Sequence, residues 1–289
     1  MTRQSGEEDR PFSARRSVEQ SRSSIEQGSI ARDADLGRSS KWWVLPNTPP
    51  PVFQNRSDIF FEIEESSTKQ RGGKTTISKD VYILFQDYSQ TVIACRFDAK
   101  SPDDVTLSQK HESSPHALRQ DQLEEYWTRY GSEIITTLNA AQNSTVGDGS
   151  PHALVAALLM PLRGALAPVG TRAFGALVYA NLANASVQQF DEIRPGDIVS
   201  FRNAKFQGKH GGVMHQKYHL EAGRPDHVGV VVEWDGTKKK IRAAEQGRDI
   251  KEGKKGKVGV ESFRLGDLRS GEVRVWRVVG RDWVGWEEG

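Results

Sequence analysis

His227 stands at the mouth of a nearly continuous apolar strand in the stretch PDHVGVVVEW. An imidazole there could serve as a general base, ligate a metal, or be the remnant of a site whose chemistry is gone. A base needs a nucleophile beside it. The single thiol of the chain, Cys95, lies in TVIACRF in line with Ile93 and Phe97. That is the pattern of a buried strand face, and free cysteine is among the residue types most often found in cores. Metal ligation would need further ligands, and His210, His215 and His219 are the nearby candidates. His215 and His219 are spaced to face one way on a helix, yet Gly211, Gly212 and Gly223 mark their segment as a solvated loop. No cysteine or carboxylate cluster completes a four-ligand set. Neither a metal nor a cofactor is therefore expected.

Around these residues the chain offers strands first. FFEIEE, VYILF and TVIACRF have β-rich composition; Val81, Ile83 and Phe85 alternate on one face, Thr91, Ile93, Cys95 and Phe97 on another. QDYSQ between the last two reads as a hairpin loop. Leu123, Tyr126, Trp127, Tyr130, Ile134 and Leu138 recur at spacings of three and four, which predicts a helix. In SPHALVAALLMPL, Ser150 takes an N-cap position and Pro151 the first helical position, the favoured start chemistry. A third helix is expected to carry Phe174, Leu177, Val178 and Leu182. Strands return in DIVSF, DHVGVVVEW, KIRAAEQ and GEVRVWRV. The order is that of an α+β domain with an antiparallel sheet, packed helices and an N-terminal β-hairpin extension, not a doubly wound one.

RPGDIVSF followed after a long loop by DHVGVVVEW resembles the sheet core of papain-like cell-wall endopeptidases and CHAP amidases. The resemblance implies a nucleophilic cysteine at the start of the preceding helix, where a helix N-terminus and an imidazolium lower a thiol's pKa. It also implies a polar residue on the following strand that orients the histidine ring. The matching positions here are the helix start in GDGSPHALV, His227, and the pair Glu245 and Gln246 in RAAEQG. Ser150, Pro151 and His152 fill the helix start, and proline has no nucleophile. Ser150 could replace the thiol as an amide or thioester hydrolase, with His227 as base and Glu245 or Gln246 as orienter. No G-x-S-x-G elbow surrounds it, and Ser-Pro is an ordinary helix start. A vestigial site in a pseudo-enzyme is the expectation, with His227 held by Glu245 or Gln246 across neighbouring strands.

The 289 residues, 36% of them apolar, suffice for a sizeable core. No apolar run approaches the roughly 20 residues of a membrane helix. The charged N-terminus is unlike a secretory signal, and one cysteine makes no internal disulfide, so a cytoplasmic protein is expected. Residues 1 to 40, rich in Ser, Arg, Glu and Gln, read as a disordered polar linker. Residues 41 to 289 read as one domain, entered through KWWVLPNTPPPVF.

With a formal charge of +2, any anionic partner must be sought in local patterning. Lys238, Lys239, Lys240, Arg242, Lys254, Lys255 and Lys257 give a local positive excess. A solvated hairpin tip explains it, and an acidic protein or phosphoinositide headgroups are the alternative. Aromatics are not interleaved with these lysines, so nucleic acid is not expected. Pro46, Pro49, Pro50 and Pro51 favour polyproline II, which an SH3 groove can read; packing onto the domain through Trp42, Trp43 and Phe53 is the competing use.

WWVLPNTPPPVF, SKDVYILFQDYSQTVI, RQDQLEEYW, GTRAFGALVYANL, FDEIRPGDIVSFRNAKF, PDHVGVVVEW and SGEVRVWRVVGRDWVGWE occur together in this order. They are similar to the C-terminal, cysteine-proteinase-like domain of fungal actin-patch SH3 proteins, the myosin tail region-interacting protein family. The resemblance implies a cytoplasmic scaffold at cortical actin patches, linked to endocytosis, type I myosin and the Arp-complex activators. Its SH3 domain has no counterpart in this chain, which reads as a C-terminal portion, a truncated gene model or a shortened paralogue. Myosin binding is therefore not carried over.

Overall fold

The computed structural model describes residues 34–69, 73–209, 217–224, 226–248 and 256–287. Strands β1 (Ile59–Lys69), β2 (Thr75–Phe85), β3 (Gln90–Asp98) and β4 (Ser101–Glu112) form an antiparallel sheet in chain order. The predicted hairpin is thus the middle of a four-stranded meander. SPDDVTLSQKHE gave no strand signal because β4 is an edge strand with polar residues along most of its length. Alternation on β2 and β3 holds: Val81, Ile83, Ile93, Cys95 and Phe97 are buried in one cluster with Trp42, Trp43 and Phe53. The segment from Lys41 to Phe53 therefore folds onto this sheet. Its anchor is Lys79, which is 1% exposed and donates to the Trp43 and Leu45 carbonyls at 2.9 and 2.8 Å.

The larger sheet has the order β11-β10-β9-β7-β12-β5-β6, with β8 paired to β7. Its strands are β5 (Ala176–Leu182), β6 (Ser186–Gln189), β7 (Ile198–Lys209), β8 (Lys217–Ala222), β9 (His227–Asp235), β10 (Lys240–Glu245), β11 (Gly259–Arg264) and β12 (Leu268–Arg277). Helix α1 (Gln120–Ala140) lays Leu123, Tyr126, Tyr130, Ile134 and Leu138 into the core, and α2 (Pro151–Leu159) packs on β9. Val228, Val230 and Val231 are fully buried, since α2 covers β9 and both edges of that strand are paired.

Two expectations change here. Phe174 to Leu182 is not a third helix: Ala176–Leu182 is β5, paired with β12 and β6. A strand buried on both faces satisfies three-and-four spacing as well as a helix does, and its seven residues are strand length. Nor is the histidine segment wholly a loop. β7 runs to Lys209 and pairs with β8, so Gln207 faces His219 in register.

The PGD turn has a structural reason. Gly196 adopts φ +93°, and a side chain there would meet Gly131 of α1 at 2.8 Å. Asp197 accepts from Arg277 at 2.6 and 3.1 Å and from the Arg194 backbone at 2.8 Å. Arg277 also donates to Asp191 at 2.9 Å and to the Leu123 carbonyl at 2.9 Å, tying α1 to β12.

Candidate functional site

β9 delivers His227 and β10 delivers Glu245 side by side. Nε2 of His227 lies 2.7 Å from Oε2 of Glu245, and both residues are buried. Glu245 in turn forms an ion pair with Arg248 at 3.2 Å, and Arg248 donates to Glu261 at 2.8 Å. The carboxylate so placed fixes the ring orientation and leaves Nδ1 as the ring nitrogen free for other work. The sequence offered Glu245 and Gln246 together for this role, and the structure divides them. Gln246 turns the other way: it accepts from the Val146 backbone at 3.1 Å and donates to the Val146 and Ser150 carbonyls at 2.9 and 2.7 Å. It pins the turn that launches α2.

At that helix start the Ser150 hydroxyl caps the helix, accepting from the Ala153 backbone at 3.2 Å. Pro151 is the residue of the helix start that lines a cavity of about 240 Å³ together with His227. Ser150 does not line it, and no hydrogen bond joins Ser150 to His227 among the described residues. The cavity wall is polar and of mixed charge. Lys205 pairs with Glu221 at 2.9 Å, Arg224 donates to Asn203 at 3.3 Å, and Arg172 holds Asp226 at 2.7 Å. His152 is in α2 beside Phe174, its Nε2 buried without a hydrogen-bond partner. Burial holds its pKa below the ordinary histidine value, and the nearby His227 adds to the effect.

The other candidates lie elsewhere. Cys95 is in the meander core, and burial pushes its thiol up to about 11. His219 bonds Gln207 at 3.2 Å and Glu221 at 3.0 Å; His210 and His215 lie outside the described residues. No group of three or more His, Cys, Asp or Glu gathers for a metal among the described residues. Lys238 and Lys239 occupy the β9–β10 turn and Lys240 opens β10, with Lys238 paired to Asp235 and Arg242 to Glu233. Lys257 is at the opposite end of β10, where Glu245 faces Gly259, about 16 Å away by strand rise. The described basic residues thus do not form one patch, and Lys254 and Lys255 lie outside the described residues. Pro49 and Pro50 are buried and Pro51 starts a 3₁₀ turn, so these prolines with Pro46 are not a continuous exposed ligand. No described helix is long and apolar enough to cross a membrane.

Arg248 at the site and Arg277 at the PGD turn had no sequence signal of their own. Each read as one more basic residue, although an arginine within the apolar run VRVWRVV calls for buried acids.

The α+β architecture, with a buried histidine and carboxylate beside a helix start, defines a cysteine proteinase-fold domain. The chain belongs to that class by comparison as well: residues 108–288 match the family model of the AIM3/BBC1 cysteine proteinase-fold domain. It is also 42% identical over 257 residues, 89% of its length, to the SH3 domain-containing protein C23A1.17 of Schizosaccharomyces pombe. The chain spans 15% of that relative's length. No solved structure gives a significant match.

Proposed function

We propose that this domain is a non-enzymatic interaction module, a pseudo-enzyme within a cytoplasmic scaffold of the cortical actin patch. The observation that carries the inert site is Pro151 on the wall of the His227 cavity, at the helix start where the papain-like resemblance puts a thiol. Ser150 offers no substitute, because its hydroxyl is spent on the helix cap and is not on the cavity wall. The long likeness to an SH3 domain-containing protein supports the scaffold half of the reading.

Two measurements test it. Incubation with fluorophosphonate and vinyl-sulfone probes and with a peptide-ester library is expected to give neither labelling nor turnover. Turnover lost in Ser150→Ala and His227→Ala would overturn the inert-site reading. The tagged chain is expected to colocalise with cortical actin patches, and a diffuse or nuclear signal would overturn the scaffold reading.

A further inference from the structure

A second cavity, of about 450 Å³, adjoins the first, and Asp226 lines both. It lies between the larger sheet and the β2–β3 turn, and its size falls within the roughly 300 to 1,000 Å³ of ligand pockets. Leu118, Leu123, Leu177, Phe190, Trp276 and Trp283 give it apolar walls. The indole donors are already used, Trp276 on the Ser200 hydroxyl at 3.0 Å and Trp283 on the His116 carbonyl at 3.3 Å. The rings therefore present apolar surface. Phe190 stands 51% exposed and adds its ring to this apolar wall.

The charges lining the cavity do not cancel in pairs. Asp87 accepts from the Ser89 backbone and hydroxyl, Asp226 is held by Arg172 at 2.7 Å, and Glu272 by Arg274 at 3.0 Å. Arg202 stands opposite Glu272 on the β7–β12 ladder, yet it has no partner among the described residues. Close by, the Nε–H of Arg274 is buried without an acceptor. An unmatched guanidinium beside a neighbouring orphan donor, above an apolar floor, is complementary to a carboxylate attached to a large apolar group.

We infer that this cavity docks a peptide segment that inserts a large apolar side chain and sets an adjacent acidic residue on Arg202. The inference deepens the interaction-module reading, but it does not depend on whether the His227 cavity is inert, so either can fail alone.

The test is fluorescence polarisation at low salt with the full chain and labelled Gly-Ser peptides carrying Trp-Glu, Trp-Lys or Ala-Glu at one internal position. Trp-Glu is expected to bind saturably, with Trp-Lys and Ala-Glu weaker by about tenfold or more. Arg202 makes no hydrogen bond or ion pair among the described residues, so Arg202→Glu breaks none; circular dichroism checks that the new charge opposite Glu272 leaves the chain folded, and the variant is expected to reverse the preference to Trp-Lys. Leu177→Trp fills the cavity and is expected to abolish binding, with circular dichroism showing that the variant remains folded. No saturable binding of Trp-Glu up to millimolar, or a preference unchanged by Arg202→Glu, would overturn the inference.

Discussion

His227 and Glu245 meet at 2.7 Å on adjacent strands, both buried, and Pro151 lines the same cavity as His227. The pair has the geometry of a base and its orienter, and the first residue of the helix beside it is a proline, whose side chain carries no nucleophile. Keeping a charged group buried is costly unless it is bonded. An ion pair with Arg248 at 3.2 Å and the contact with His227 offset the burial of the Glu245 carboxylate.

If the arrangement is intact, restoring a thiol should restore its activation. Pro151→Cys is expected to titrate well below the usual thiol value of about 8.5, through the imidazole and the helix N-terminus. His227→Ala in the same background should return it to the ordinary range. Alkylation rate against pH measures this, and buried Cys95 reacts too slowly to interfere. A thiol titration indifferent to His227 would show that the geometry no longer supports a catalytic pair.

The sequence made the meander strands legible through Val81, Ile83, Ile93 and Cys95, because half-buried strands alternate visibly. α1 was legible for the same reason at helical spacing. β5 was not, since both its faces are covered and apolar residues then carry no period. β4 and β8 were hidden by polar edge composition. At the site, Ser150, Pro151, His227 and Glu245 were each visible from type and context. The division of labour between Glu245 and Gln246 was not, because neighbouring residues on a strand leave on opposite faces and only the fold says which face holds His227.

The buried cluster of Arg277, Asp191 and Asp197 sets one guanidinium against two carboxylates. Burial pushes Asp197 up to about 6, with the Arg277 bonds opposing. A carboxyl raised in this way contributes stability that is full below its ordinary 3.8 and lost as pH rises through about 6. Arg277→Met leaves both acids without a cation and is expected to cost about 3 to 5 kcal/mol at pH 7.5. The loss should shrink at pH 4.5, where Asp197 is protonated. Urea unfolding at the two pH values checks it, and an equal loss at both would contradict the assignment.

His152 works in the opposite sense. Burial lowers its native pKa, so the unfolded chain takes up a proton first as pH falls below the ordinary 6.5. Its contribution is present above that value and is lost as pH falls toward the lowered native one. Melting temperature is expected to decline between pH 7.5 and 5.5, and His152→Phe, which keeps the stacking beside Phe174, should flatten that slope. A slope unaltered by the substitution would assign the acid sensitivity to other groups.

Lys79 controls how the Trp42–Phe53 segment is held. Its ammonium, 1% exposed, satisfies the Trp43 and Leu45 carbonyls and lies 3.2 Å from Glu65. Lys79→Met keeps the length and apolar stem but strands both carbonyls under the indoles, at about 1 to 3 kcal/mol for each orphaned group. The segment should then open before the rest of the chain unfolds. Limited proteolysis is expected to cut between Lys41 and Phe53 several-fold faster, and Trp43 amide exchange to rise, while exchange in β9 and β12 stays unchanged. Uniformly faster exchange across both sheets would instead make Lys79 part of the global unfolding unit, with the segment and the larger core opening together.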